Sequence, residues 1–189
     1  MAQPRIVSLL PSATEIAVAL GLGESLVGRS HECDYPLFVK ALPVVTSTRL
    51  EKGLTSRQID DRIQEIVRQG LSVYEVDTAL LRDLRPDLIL TQSQCAVCAV
   101  TPADLEEALG DWIGTAPTLL SLAPDTLEDV WSDFAKVAEA AGIPERASSV
   151  VGDLKERMSG LSRSSAERMD RPRVAAIEWI DPLMAAGNW

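Results

Sequence analysis

Apolar positions along the chain follow two alternating patterns. Short apolar runs are followed by longer stretches in which apolar side chains recur every three or four positions. These are the spacings of buried strands and of helices with one apolar face. Arg5-Ile-Val-Ser-Leu-Leu10 is the first short run, closed by Pro11. Ser12-Ala-Thr-Glu15 has the spacing of a capping box, with the serine hydroxyl closing the first turn and the glutamate reaching back. Ile16, Ala19 and Leu20 then form the apolar face of a helix that Gly21 or Gly23 stops. Leu26-Val-Gly28 predicts a second strand and Val44-Val45 a brief one. Thr55-Ser-Arg-Gln58 repeats the capping-box spacing ahead of a stripe of Ile59, Ile63, Ile66 and Val67 that runs to Gly70.

The alternation continues. Leu71 to Val76 predicts a strand, and Asp77 caps a short helix carrying Leu80, Leu81 and Leu84. Pro86 ends it before the strongly apolar strand Leu88-Ile-Leu90. Thr101-Pro102 opens another helix, with proline at its first position. Thr118 to Leu122 is a further strand. Asp125 to Ala141 is a helix with the stripe Leu127, Val130, Trp131, Phe134, Val137, Ala138 and Ala141. From Pro144 to Arg168 the pattern is helical but mostly polar, which places it outside or between lobes. Arg173 to Trp179 reads as a last strand with no later strand to pair with. Strands alternating with helices predict an α/β fold, a parallel sheet with helices on both faces. The stray final strand predicts the start of a second lobe. The expected division is an N-terminal lobe over 1–123, a connecting helical segment over 124–171, and the beginning of a C-terminal lobe over 172–189.

Charge and composition narrow the function. The chain has 189 residues and a formal net charge of −10, so nucleic acid and anionic membrane faces are poor partners. It contains one histidine, His31, which removes any mechanism needing two. No apolar run approaches the roughly 20 residues that span a bilayer. Pro11 and Glu15 interrupt the N-terminal apolar stretch too early for a secretion signal, so the chain as written is expected in the cytoplasm. A reducing compartment favours free thiols at Cys33, Cys95 and Cys98.

In open α/β sheets, ligands gather at the carboxyl ends of the strands. Three loops leave such ends here, over 11–14, 30–36 and 91–98. They carry Ser12, His31, Cys33, Asp34, Gln92, Gln94, Cys95 and Cys98, which are expected to converge on one rim. His31-x-Cys33 with Cys95-x-x-Cys98 supplies four candidate metal ligands. The plainer alternative is that the cysteines are small apolar residues of a buried loop and that His31 satisfies a loop carbonyl. Ser12 has two readings as well, a helix cap or an anion contact at a helix start. There is no phosphate loop, no dinucleotide fingerprint and no serine elbow. A metal- or thiol-dependent enzyme on His31, Cys95 and Cys98 stays open as an alternative.

Three segments together carry a family resemblance. They are Arg5-Ile-Val-Ser-Leu-Leu-Pro-Ser-Ala-Thr-Glu-Ile16, His31-Glu-Cys-Asp-Tyr-Pro36 and Leu84-Arg-Pro-Asp-Leu-Ile-Leu-Thr-Gln92. The chain resembles the helical-backbone (class III) substrate-binding proteins of ABC importers, and within them the cobalamin-binding branch. The resemblance runs along essentially the whole chain. It implies a non-enzymatic binder holding cobalamin or a related corrinoid between two lobes, with no cofactor of its own and an ABC permease as partner. Rim residues Ser12, His31, Asp34, Tyr35, Gln92 and Gln94 would give polar contacts, and Trp189 would face the cleft. An iron-siderophore or haem binder is the alternative on the same fold. Family members are periplasmic or lipid-anchored and continue past Gly187-Asn-Trp189, so the chain is expected to be truncated in its second lobe. The exposed strand edge left there is expected to favour a homodimer.

Overall fold

The structure, a computed structural model, describes residues 3–69, 71–93, 100–110, 112, 114–166 and 172–185, without the side chains of 106–108. The strands β1 (Ile6–Ser8), β2 (Leu26–Arg29), β5 (Leu88–Gln92) and β6 (Thr118–Leu122) form one sheet in the order β2-β1-β5-β6. All its pairs are parallel, with Val7 beside Ile89 and Ile89 beside Leu119. Between β2 and β5 lie β3 (Thr46–Thr48) and β4 (Tyr74–Val76), an antiparallel pair. Val44 bridges Arg29 in parallel sense, so β3 carries the direction of β2 onward past its end.

Each sheet face has its own apolar cluster, because neighbouring strand residues point to opposite sides. Ile6, Leu88 and Leu90 pack with α1 (Pro11–Ala19), α5 (Leu127–Ala140) and α6 (Glu145–Ala166). Val7 and Ile89 pack with α2 (Ser56–Arg68), α3 (Thr78–Leu84) and α4 (Pro102–Gly110). Helices on both faces of a parallel sheet are the expected architecture. At about 1.5–3 kcal/mol for each fully buried aliphatic side chain, these two layers hold the strand ends in place. Gly28 packs closely against α3, since a Cβ there would stand 2.7 Å from Leu84 Cδ1 and that side chain would have to shift. Gly21 turns the chain after α1 at φ +80°, and Arg146 Nη1 of α6 donates to the Leu20 carbonyl at 3.1 Å.

Several local expectations hold and several shift. Thr55 with Gln58 forms a capping box, and Asp77 caps α3. The box expected at Ser12 and Glu15 does not form. Proline at the first helical position starts α1 two residues earlier, with Leu10 as an uncapped N-cap, so Ser12 already lies inside the first turn. Thr14 takes the polar role instead, donating to the Leu10 carbonyl at 3.1 Å. Helix α5 begins at Leu127 rather than Asp125, because Thr126 and Asp129 make the capping box. Phe134 is buried as expected, whereas Leu127 is exposed. The strand expected at Val44-Val45 is a single bridge followed by β3, and the one expected from Leu71 narrows to β4. Arg173 to Trp179 narrows to β7 (Ile177–Trp179), and it does find a partner. β8 (Met184–Ala185) pairs with it in a hairpin. A turn through Asp181 and Pro182 supplies the local strand that the sequence pattern did not reveal.

Candidate ligand-binding site

The strand order marks where a candidate site can lie. From β1 the chain moves to β2 on one side, and β5 returns on the other, so the order reverses between β1 and β5. Ligands settle outside the carboxyl ends of strands at such a switch point. Ser30 N donates to Ser8 O at 2.9 Å, and Leu9 N donates to Leu90 O at 2.9 Å. The ends of β2, β1 and β5 therefore adjoin. Ser12 lies exposed on α1 just past β1, and Gln92 is the half-buried last residue of β5.

Beneath this rim runs a buried polar chain. Ser8 and Thr14 are fully buried, and Thr14 Oγ1 meets Ser8 Oγ at 2.8 Å and Cys33 Sγ at 3.1 Å. Burial pushes the Cys33 thiol up from its ordinary range, against the pull of the Thr14 hydrogen bond. It stays protonated at neutral pH, a poor metal ligand and a poor nucleophile. On the other side, the His31 N–H donates to Thr46 Oγ1 at 3.0 Å, and His31 Nδ1 lies 2.8 Å from the same oxygen. Thr46 Oγ1 in turn meets Ser30 Oγ at 3.1 Å. The ring of His31 stands 5.6 Å from that of Tyr74, tilted by 50°. Tyr74 donates its hydroxyl proton to Glu32 Oε1 at 3.4 Å. Burial, reinforced by the negative charge of Glu32, pushes the Tyr74 phenol up to about 12.

Thr46 thus fixes the backbone and one ring nitrogen of His31 together, leaving Nε2 as the other ring nitrogen. Asp34 lies exposed with Lys40 Nζ at 3.9 Å, and Tyr35 is 63% exposed. A groove of about 500 Å³ runs beside Tyr74, bounded also by Arg49, Glu75 and Asp104. A second groove of about 540 Å³ lies at the opposite, amino end of β5, by Pro86 and Trp112. It has no relation to the switch point. Among the described residues no group of three or more His, Cys, Asp or Glu side chains is placed to hold a metal. Of the proposed metal set, His31 Nδ1 and Cys33 Sγ are engaged by Thr46 and Thr14. Cys95 and Cys98 lie outside the described residues, as do Gln94 and Trp189. Thr46 and Tyr74 were not anticipated. They reach His31 from 15 and 43 residues away, and no local motif signals that approach.

No protein-family model matches the chain. It is 26% identical over 168 residues to the vitamin B12-binding protein of Photorhabdus laumondii, covering 89% of this chain and 49% of that protein. Among solved structures, the periplasmic vitamin B12 binding protein of Vibrio cholerae aligns with a TM-score of 0.64 at 22% identity, over 97% of this chain and 58% of that one. The chain shares the α/β fold of that periplasmic binding protein. A periplasmic haem-binding protein from Roseiflexus shares it, with a TM-score of 0.62 at 24% identity over 93% of this chain and 55% of that one. The chain spans about half the length of the curated relatives it matches. The curated relative and the solved structures named above are described as binding proteins, and no helix among the described residues is long and apolar enough to cross a membrane.

Proposed function

We propose that this chain forms one wall of a cleft that binds cobalamin or a related corrinoid for an ABC-type importer. Ser12, His31, Asp34, Tyr35, Gln92 and Gln94 would supply polar contacts and aromatic surface, with Trp189 as a further candidate contact. The observation that carries this reading is the meeting of three strand ends at the switch point, with a histidine held there by Thr46, in a chain whose curated relatives are named as vitamin B12 binders. Large apolar ligands are held by concave, mostly preformed surfaces with a few placed polar groups. The working division is a first lobe over 1–123, a connecting segment over 124–171 and a second unit from 172. The compartment that goes with this reading is the periplasm, and the partner is a permease.

A haem or ferric chelate is the second reading, because structures named as haem-binding share the fold to nearly the same degree. An enzyme built on His31, Cys95 and Cys98 has less behind it, since the matched relatives are named as binding proteins and Thr46 engages His31 Nδ1. A homodimer through the outer edges of the β7–β8 hairpin is the assembly that goes with its exposed apolar side chains. The test is a visible-absorbance titration of the chain with cyanocobalamin and, separately, with haemin. Saturable one-to-one uptake of cyanocobalamin supports the first reading. Uptake of haemin alone supports the second and removes the first.

A further inference from the structure

We infer that Arg29 is the positioning residue of this rim: its guanidinium holds the segment from Ser30 to Lys40 in the shape that presents His31, Asp34 and Tyr35. The inference rests on the ligand-binding reading above and adds to it the group that shapes the site. Arg29 is the last residue of β2. Its Nη1 donates to the carbonyls of Ser30 and Cys33, each at 3.0 Å, and its Nη2 donates to the carbonyl of Lys40 at 3.2 Å. One planar group thus spans the loop at its first, fourth and eleventh residues. Its own main chain closes the base, since Arg29 N donates to Pro43 O and Val45 N donates to Arg29 O, both at 2.9 Å.

Arg29 makes no ion pair among the described residues, and its Nε is buried with no hydrogen-bond partner there. A half-buried cation whose donors go to main-chain carbonyls serves the loop rather than the solvent. Lysine cannot take its place, because an ammonium is a single point and lacks the rigid fork that reaches separated acceptors. His31 lies between two of the held carbonyls, Ser30 and Cys33, while its ring is held by Thr46. The two anchors are separate: Arg29 sets where the backbone of His31 runs, and Thr46 sets how the ring turns.

His31 is the chain's single histidine and gives one unambiguous imidazole NMR signal. In the ligand-free 189-residue chain, Arg29→Gln is expected to shift or broaden that signal. In the titration it is expected to weaken cyanocobalamin binding at least tenfold. Arg29→Lys is expected to give the same signature with a smaller loss, and it serves if Arg29→Gln does not fold, with the thermal midpoint as control for global loss. An unmoved His31 signal in Arg29→Lys overturns the inference. So does a moved signal with unchanged affinity, because the loop shape would then not govern binding. If the unsubstituted chain takes up neither cyanocobalamin nor haemin, the ligand reading has failed, while an Arg29-dependent His31 signal still upholds the clasp.

Discussion

The rim segment from Ser30 to Thr46 and the hairpin of β7 and β8 are both short excursions, and they are held in opposite ways. The rim segment is stitched to the sheet by Arg29, by the Thr46 contacts of His31 and by buried Cys33 and Val39. The hairpin rests on α2 through an ion pair, Arg57 to Asp181 at 2.6 Å, and through Trp179 Nε1 donating to Ser56 O at 3.3 Å. Its apolar side chains face outward, with Ile180 77% and Leu183 72% exposed. The first region is part of a finished core, and the second has almost no core of its own. Fixed side-chain geometry is therefore found at the first, and the second is the softer element.

Four perturbations sharpen that contrast. The largest effect is expected from Leu90→Ala at the fully buried centre of β5, a loss of about 2–5 kcal/mol in urea unfolding. Thr46→Val comes next. It removes the acceptor of the His31 N–H and the partner of Ser30, and is expected to cost about 1–3 kcal/mol and to release the His31 ring. An unchanged unfolding midpoint would show that the polar chain beneath the rim contributes nothing. Arg57→Gln acts on a half-exposed pair and should cost no more than about 1 kcal/mol. Its mark is faster amide exchange confined to 177–185, and protection lost across the sheet instead would refute the separation of the two regions.

The smallest effect at neutral pH belongs to Tyr74. Its folded phenol titrates near 12 against an ordinary 10.0, so the folded state keeps the proton longer than the unfolded chain. The associated stability is complete below pH 10 and is lost as pH rises toward 12. Tyr74→Phe should flatten that alkaline decline. A decline of equal steepness in the variant would assign it elsewhere.

Much of this contrast was legible in the residues. The apolar runs at Ile6, Leu26, Leu88 and Leu119 gave the parallel sheet, because strands buried on both faces must be apolar throughout. The rim followed from that sheet, since ligands gather at its carboxyl edge. What escaped the pattern were contacts between distant segments. Thr46 beside His31, Tyr74 beneath its ring and the Arg29 clasp join residues by three-dimensional proximity, and their types are ordinary for strands and loops. The capping-box spacing at Ser12 does not make a cap, because Pro11 sets the helix start and leaves Ser12 inside the first turn. The partner of β7 was missed because Met184-Ala185 is too short to show a strand period.

The most direct test of the central claim, that ligand sits on the carboxyl edge of the β1–β5 switch point, is the imidazole signal of His31 followed through a cyanocobalamin titration. The account predicts a progressive, saturable change in that signal, reaching its end point at the same ratio as the visible-absorbance titration. Saturable binding by absorbance with the His31 signal unmoved would place the ligand elsewhere and contradict it.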